Sequence, residues 1–213
     1  NVVNLSRSDA KANSKRFFNV SIDLSDISRV QATIKSLLST DSPRALVFCQ
    51  RYRPSPGHDD VDILSGINTE IISTQNIIEE FVNGRPKGKR SIVVISSVNG
   101  TLINKQLPFW YHWLKASQIH LVRYYAVKSG DVEMNVNCIA AGSFLKDDIN
   151  TYPAQQKSWL EKLSRSTPVK ANTKIQDIAA AVEFLISDKA AIINGQIITI
   201  DGGITNILQE TLI

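Results

Sequence analysis

Six short apolar runs alternate with stretches of helical periodicity, and no other feature of the chain constrains its fold so strongly. The runs are Asn1-Val2-Val3-Asn4-Leu5, Phe17-Phe18-Asn19-Val20-Ser21-Ile22-Asp23, Ala45-Leu46-Val47-Phe48-Cys49, Ser91-Ile92-Val93-Val94-Ile95, Met134-Asn135-Val136-Asn137-Cys138-Ile139 and Gln196-Ile197-Ile198-Thr199-Ile200. Near-continuous apolar strands separated by helices indicate a parallel sheet covered on both faces. The pattern predicts a doubly wound α/β fold, and 213 residues suit one such domain over 1–213 with a full core.

The intervening segments supply the helices. Ile27, Val30, Ile34 and Leu37 recur at helical spacing, with Ser25 or Asp26 placed to cap them. A long helix is expected over about residues 60–82, with Ile67, Ile71, Ile78 and Phe81 on one stripe. Another opens near Phe109 and buries Leu114, Leu121, Val122 and Tyr125. Thr173 and Gln176 form a capping box for a helix reaching Ser187, with Ile178, Val182 and Leu185 inward. Residues 143–172 are polar and irregular apart from a short helical stretch near 155–163, a length typical of a lid or binding loop.

Composition excludes several functions. With 43% hydrophobic and 21% charged residues the chain is an ordinary globule, neither disordered nor fibrous. The net charge of +4 is scattered, and its densest run is Arg85-Pro86-Lys87-Gly88-Lys89-Arg90. Proline and glycine make that run a solvated connection, with no aromatic platform beside it, so no nucleic-acid partner is expected. Cys49 and Cys138 lie far apart, without metal-ligand spacing and in apolar runs. They are expected as buried, reduced thiols of a cytoplasmic protein, and no metal site is expected. No apolar stretch reaches about 18 residues and no signal peptide is visible, so no membrane partner is expected.

The chemistry concentrates in Phe109-Trp110-Tyr111-His112-Trp113-Leu114-Lys115 and the preceding Ile95-Ser96-Ser97. Tyr111 and Lys115 share a helix face one turn apart. An ammonium beside a phenol favours the phenolate, which makes a proton donor or acceptor useful near neutral pH. Ser97 closes an apolar run, where a parallel strand presents the edge at which ligands collect. With that layout the chain resembles the short-chain dehydrogenase/reductase family over essentially its whole length. The matching residues, in family order, are Ile95-Ser96-Ser97, Tyr111-x-x-x-Lys115, Val136-Asn137-x-Ile139-x-x-Gly142, Asn194-Gly195-Gln196 and Asp201-Gly202-Gly203.

The resemblance implies a Rossmann-like fold and hydride transfer between NADP, or NAD, and a carbonyl or secondary alcohol. By the same resemblance Tyr111 is the acid/base, Lys115 lowers its pKa and holds the nicotinamide ribose, and Ser97 hydrogen-bonds the substrate oxygen. Asp23 and Leu24 would meet the adenine, Gly142 would lie on the cofactor, and Arg7 would meet a 2′-phosphate. An arginine at that strand end, without an acidic residue, favours NADP over NAD. The implied partner is a small molecule, by analogy a sugar or acyl precursor. The implied assembly is a homodimer or homotetramer paired through the Tyr111 helix and the long helix before it.

The departures matter as much. The family's opening strand and glycine-rich turn are not seen, since no glycine precedes Gly57. The expectation is a missing or truncated first βα unit, about 25–35 residues of a longer protein. The family's Asn-Asn-Ala-Gly is replaced by Phe48-Cys49-Gln50-Arg51. Arg51 and Arg53 either reach a phosphate or carboxylate of a substrate or form a charged loop. The relay asparagine is unassigned, its position falling near Gly66 with Asn68 two residues off. Ala141 replaces a proline and Lys146 a threonine. His112 and Trp113 either line the substrate pocket or pack, with Trp113 suited to a subunit interface. These departures leave a second reading, a catalytically inactive relative serving as scaffold or subunit-pairing protein.

Overall fold

The computed structural model describes residues 1–8, 15–40, 43–54, 62–84, 88–129, 133–145 and 153–208. They fall into two units, the first from Asn1–Pro43 and Gln50–Gly88, the second from Arg44–Cys49 and Lys89–Ile213.

In the first unit β1 (Val2–Ser6) and β2 (Phe17–Ser21) pair in parallel, Val2 opposite Phe17 and Ser6 opposite Ser21. Helix α1 (Ile27–Thr40) buries Val30 and Ile34. Asp26 is its cap, accepting the Arg29 N–H at 3.0 Å. The expected single helix over 60–82 is interrupted: α2 (Ile63–Ile67) passes through a π-turn at Asn68–Ile72 into α3 (Ser73–Asn83). Residues 55–61 and 85–87, including part of the basic run, lie outside the described residues. A π-turn inserts one residue into the helical ladder and rotates everything after it. Ile67 and Ile71 are therefore only half-buried, while Glu70, Ser73, Thr74, Ile77, Ile78 and Phe81 face inward.

The second unit runs β3 (Ala45–Phe48), β4 (Arg90–Ser97), α4 (Phe109–Lys128), β5 (Met134–Ala141), β6 (Phe144–Leu145), α5 (Ala154–Ser166), β7 (Thr173–Lys174), α6 (Ile175–Ile186) and β8 (Ile197–Ile200). Strands β3, β4, β5 and β8 form one parallel sheet in that order, and β6 pairs with β7. Within the first unit β1 and β2 form a two-stranded sheet.

The sheet of the second unit is covered on both faces. Val93, Ile139 and Ala141 pack with Ile178 and Leu185 of α6. Side chains alternate along a strand, so Ile92, Val94 and Ser96 face the other way, toward α4. Leu114, Leu121, Val122 and Tyr125 are buried as the periodicity predicted. Helix α6 starts one residue away from the expected cap: the Asp177 carboxylate, not Gln176, turns back to accept the Lys174 N–H at 2.7 Å.

A polar clasp ties the 190–196 turn to β5. Asn137 is buried, its Nδ2 donating to Ile193 O at 2.8 Å and its Oδ1 accepting the Gln196 N–H at 3.0 Å. Asn194 reciprocates, its Oδ1 accepting the Val136 N–H at 2.9 Å while Nδ2 donates to Ala126 O of α4 at 2.8 Å. Replacing Asn137 by leucine would leave a carbonyl and an N–H without partners. Chemical denaturation should show a loss of about 2 kcal/mol.

Candidate active site

Ser97 is the last residue of β4, in register with Ala141 of β5, which is in register with Ile200 of β8. It thus stands at the C-terminal edge of the sheet. Its Oγ accepts the Asn99 N–H at 3.2 Å, starting a single 3₁₀ turn over Val98–Gly100. A hydroxyl can accept there and still donate its proton to another oxygen.

Pro108 caps α4 in an extended conformation, and proline's fixed φ ends the loop cleanly before the helix. Tyr111 and Lys115 follow within the first two turns, both buried. The Lys115 ammonium lies 5.8 Å from the centre of the Tyr111 ring and donates to Gln118 Oε1 at 3.1 Å. The helix is fixed to the sheet at the same residue, because Ser96 Oγ donates to the Lys115 carbonyl at 3.0 Å. The turn after Ser97 presses onto that point. A Cβ on Gly100 would sit 2.9 Å from the Lys115 carbonyl carbon and oxygen and 2.6 Å from Ile119 Cδ1. Only a residue without a side chain allows this approach.

His112 packs rather than standing open. Its Nε2 accepts the Asn104 N–H at 3.0 Å and its Nδ1 lies 3.0 Å from Pro108 O. Only the tautomer carrying its proton on Nδ1 satisfies both contacts. The imidazole therefore clasps the loop between the Ser97 turn and α4. Trp113, next in sequence, is exposed.

Gly142, also predicted to touch the cofactor, lies just past β5 and is held by packing: a Cβ there would come within 2.7 Å of Asp201 Cβ. Buried Asp201 closes its own turn, accepting the Gly203 N–H at 2.8 Å and the Thr205 N–H at 3.0 Å. The Asp-Gly-Gly motif thus shapes the sheet edge. Lys146 lies outside the described residues. Cys138 is buried as expected, and burial pushes its thiol up to about 12. The expectation fails for Cys49, which is exposed just beyond the end of β3.

Arg7, Asp23 and Leu24 belong to the first unit. The β1–β2 register brings Arg7 and Asp23 to the same strand ends. Asp23 Oδ1 accepts the Ser25 N–H at 2.9 Å and the Ser25 hydroxyl at 2.8 Å. Those two bonds, helped slightly by the charge of Arg7, hold the carboxyl below its ordinary range. Ser25 is therefore spent on Asp23 and leaves the α1 cap to Asp26. Arg7 is exposed and Leu24 half-buried. The segment after β3 is tied down through Gln50 Nε2, which donates to Thr74 Oγ1 at 2.5 Å, and the Tyr52 N–H, which donates to Glu70 at 2.7 Å. Arg51, between these anchors, and Arg53, just beyond them, are exposed. Gly66 is buried in α2 and Asn68 opens the π-turn, both in the first unit, and the relay asparagine remains unassigned.

Glu70 and Gln118 were not anticipated from the pattern. Gln118 was findable, being three residues beyond Lys115 on a face otherwise apolar at Leu114, Leu121 and Val122. Glu70 was not, since α-helical spacing gives no warning of a π-turn.

With this geometry in view, comparison with known proteins assigns the family. A family model described as Enoyl-(Acyl carrier protein) reductase matches residues 57–205. The 7alpha-hydroxysteroid dehydrogenase of Escherichia coli is 37% identical over 89 residues, covering 42% of this chain and 34% of that one. A short chain dehydrogenase from Leptospira borgpetersenii, solved with bound NAD+, superposes with a TM-score of 0.81 at 22% identity, over 95% of this chain and 82% of that one. A gluconate 5-dehydrogenase from Burkholderia cenocepacia, solved with NADP and tartrate, gives 0.75 at 20% identity, over 90% and 76%. The chain belongs to the short-chain dehydrogenase/reductase family. Its match spans about a third of the length of the Escherichia coli relative. Among the described residues no helix is long and apolar enough to cross a membrane.

Gly100→Ala should lower stability by about 1–3 kcal/mol, read by thermal melting, as the turn is forced off α4. Asp23→Ala should lower the melting temperature at neutral pH. A depressed carboxyl stabilises the fold above its unfolded pKa of 3.8 and loses that contribution as pH falls through the lower folded value, so the deficit should close in acid.

Proposed function

We propose that this chain forms the reacting part of an oxidoreductase that moves a hydride between NADP(H) and a carbonyl or secondary-alcohol substrate. The observation that carries the reading is one cluster: Ser97 at the sheet edge, Tyr111 and Lys115 buried a turn apart on α4, and α4 fixed to β4 at Lys115 itself. In the reducing direction the Tyr111 phenol gives its proton to the carbonyl oxygen as charge develops there. Ser97 donates a hydrogen bond to the same oxygen, so the negative charge is never left unshielded. The Lys115 ammonium lies 5.8 Å from the centre of the Tyr111 ring. Its N–H groups, with the phenol, are a donor set suited to the hydroxyls of a nicotinamide ribose. Bound nicotinamide supplies or accepts the hydride.

The exposed guanidinium of Arg7 at the end of β1 supports NADP, since it can grip a 2′-phosphate with paired donors. The match to the Escherichia coli steroid dehydrogenase supports a secondary alcohol or ketone as substrate, while sugar and acyl precursors stay in view by family analogy. Phe109, Trp113, Tyr124 and Val127 form an exposed apolar row along α4, which supports pairing of two copies through this helix, in a homodimer or homotetramer.

Tyr111→Phe in the full-length protein should cut NADPH-dependent carbonyl reduction about 10³-fold while NADPH still binds. Retained turnover would overturn the assignment. Arg7→Ala should weaken NADPH binding about tenfold and leave NADH binding unchanged, measured by fluorescence titration.

A further inference from the structure

The segment that follows the Ser97 turn leaves two large apolar side chains in the open. Leu102 is 46% exposed and Ile103 82%. Single exposed apolar residues are ordinary, but these two are adjacent and sit in a loop pinned by its own polar groups. The Leu102 N–H donates to Val98 O at 2.9 Å, which ties Leu102 to the turn that Ser97 starts. The amide joining Ile103 to Asn104 donates to His112 Nε2 at 3.0 Å. That imidazole is next to Tyr111 on α4, with the two ring centres 6.1 Å apart. Asn104 completes the loop, its side chain accepting the Gln106 N–H at 3.0 Å and its carbonyl the Leu107 N–H at 3.0 Å. We infer that Leu102 and Ile103 are specificity-determining residues, a fixed apolar wall at the reacting edge for the hydrocarbon body of the substrate. This rests on the hydride-transfer reading given above and narrows its substrate to an apolar ketone or secondary alcohol.

The occupant follows from where the wall is pinned. One end is fixed to the turn of Ser97 and the other to the neighbour of Tyr111, the two groups assigned above to the carbonyl oxygen. A hydrocarbon placed there leaves water together with Leu102 and Ile103, and the loop needs no further ordering to receive it. A sugar gains nothing comparable, because hydroxyls pressed against leucine and isoleucine lose water without finding a partner. A third exposed apolar residue stands at the same sheet edge. Val169 is 64% exposed, and its N lies 3.5 Å from Gly202 O, just past β8. A Cβ on Gly202 would come within 2.9 Å of Val169 Cγ2, so the glycine is what allows Val169 to sit there. Strands β4, β5 and β8 run parallel, so Ser97 and Gly202 follow the same edge. Pairing of two copies is assigned above to a different surface, the row along α4 that includes Trp113, Tyr124 and Val127.

The test compares two ketones of opposite character in the full-length protein with NADPH. Decalone is a bicyclic hydrocarbon ketone, and dihydroxyacetone carries a hydroxyl on either side of its carbonyl. Ile103→Ser should lower the ratio of kcat/KM for decalone over that for dihydroxyacetone about tenfold, chiefly through KM for decalone. Adding Leu102→Ser should lower the ratio further. Ile192→Ser is the control: Ile192 is 95% exposed in the turn that leads into β8, at the opposite edge of the sheet, and its loss should not move the ratio. Each variant is checked for folding by circular dichroism. A ratio unchanged by Ile103→Ser, or lowered as much by Ile192→Ser, overturns the inference. An unchanged ratio with an altered association state in sedimentation also overturns it, and assigns the pair to a contact between copies. Equilibrium dialysis of decalone, with and without NADPH, separates the wall from the chemistry. Decalone binding that weakens about tenfold in Ile103→Ser, in a protein that reduces neither ketone, keeps the wall and loses the functional reading instead. A natural protein that binds no decalone overturns the inference.

Discussion

The second unit depends on one junction, where α4 meets β4. Ser96 donates to the main-chain carbonyl of Lys115, and the turn through Gly100 approaches the same peptide without a side chain to hold it off. A hydrogen bond from a strand side chain to a helix carbonyl fixes both the height and the rotation of the helix. Rotation is what matters for Tyr111 and Lys115, since a helix turned by one residue carries its side chains through about 100°. The site is thus anchored through main-chain atoms, and its own side chains need only point from a helix already in place.

Around that junction polar groups do the locating and apolar groups the filling. Asn137 and Asn194 clasp the turn leading into β8, and Asp201 closes the one that leaves it. Both asparagines and the aspartate bind main-chain groups that would otherwise be buried without partners. Motifs that a sequence comparison reads as family marks are, in this molecule, the devices that shape the sheet edge where Ser97 stands.

Much of this was legible beforehand because it depends on short-range periodicity. The apolar runs became strands, the stripe Leu114, Leu121, Val122 and Tyr125 became the buried face of α4, and the Tyr111–Lys115 spacing placed both on one side of a helix. Where the reading failed, a local alternative had intervened. Ser25 bonded to Asp23 and gave the α1 cap to Asp26, Asp177 displaced the expected box at α6, and Cys49 fell just beyond its strand. The π-turn at Asn68–Ile72 moved Glu70 inside and Ile67 and Ile71 partly out, because one extra residue breaks the 3.6-residue register on which the prediction rested.

The sequence by itself determined the α/β class and the family motifs, and it made Ser97, Tyr111 and Lys115 candidates, because each follows from residue type at a fixed spacing along one element. The tertiary structure alone decided what holds them: Ser96 reaching across to Lys115 O, Gly100 bare against α4, His112 clasping Asn104 and Pro108, and Gln118 receiving the ammonium. Contacts of this kind join groups whose meeting depends on how elements dock and which rotamers survive burial. Neither periodicity nor spacing along the chain encodes that.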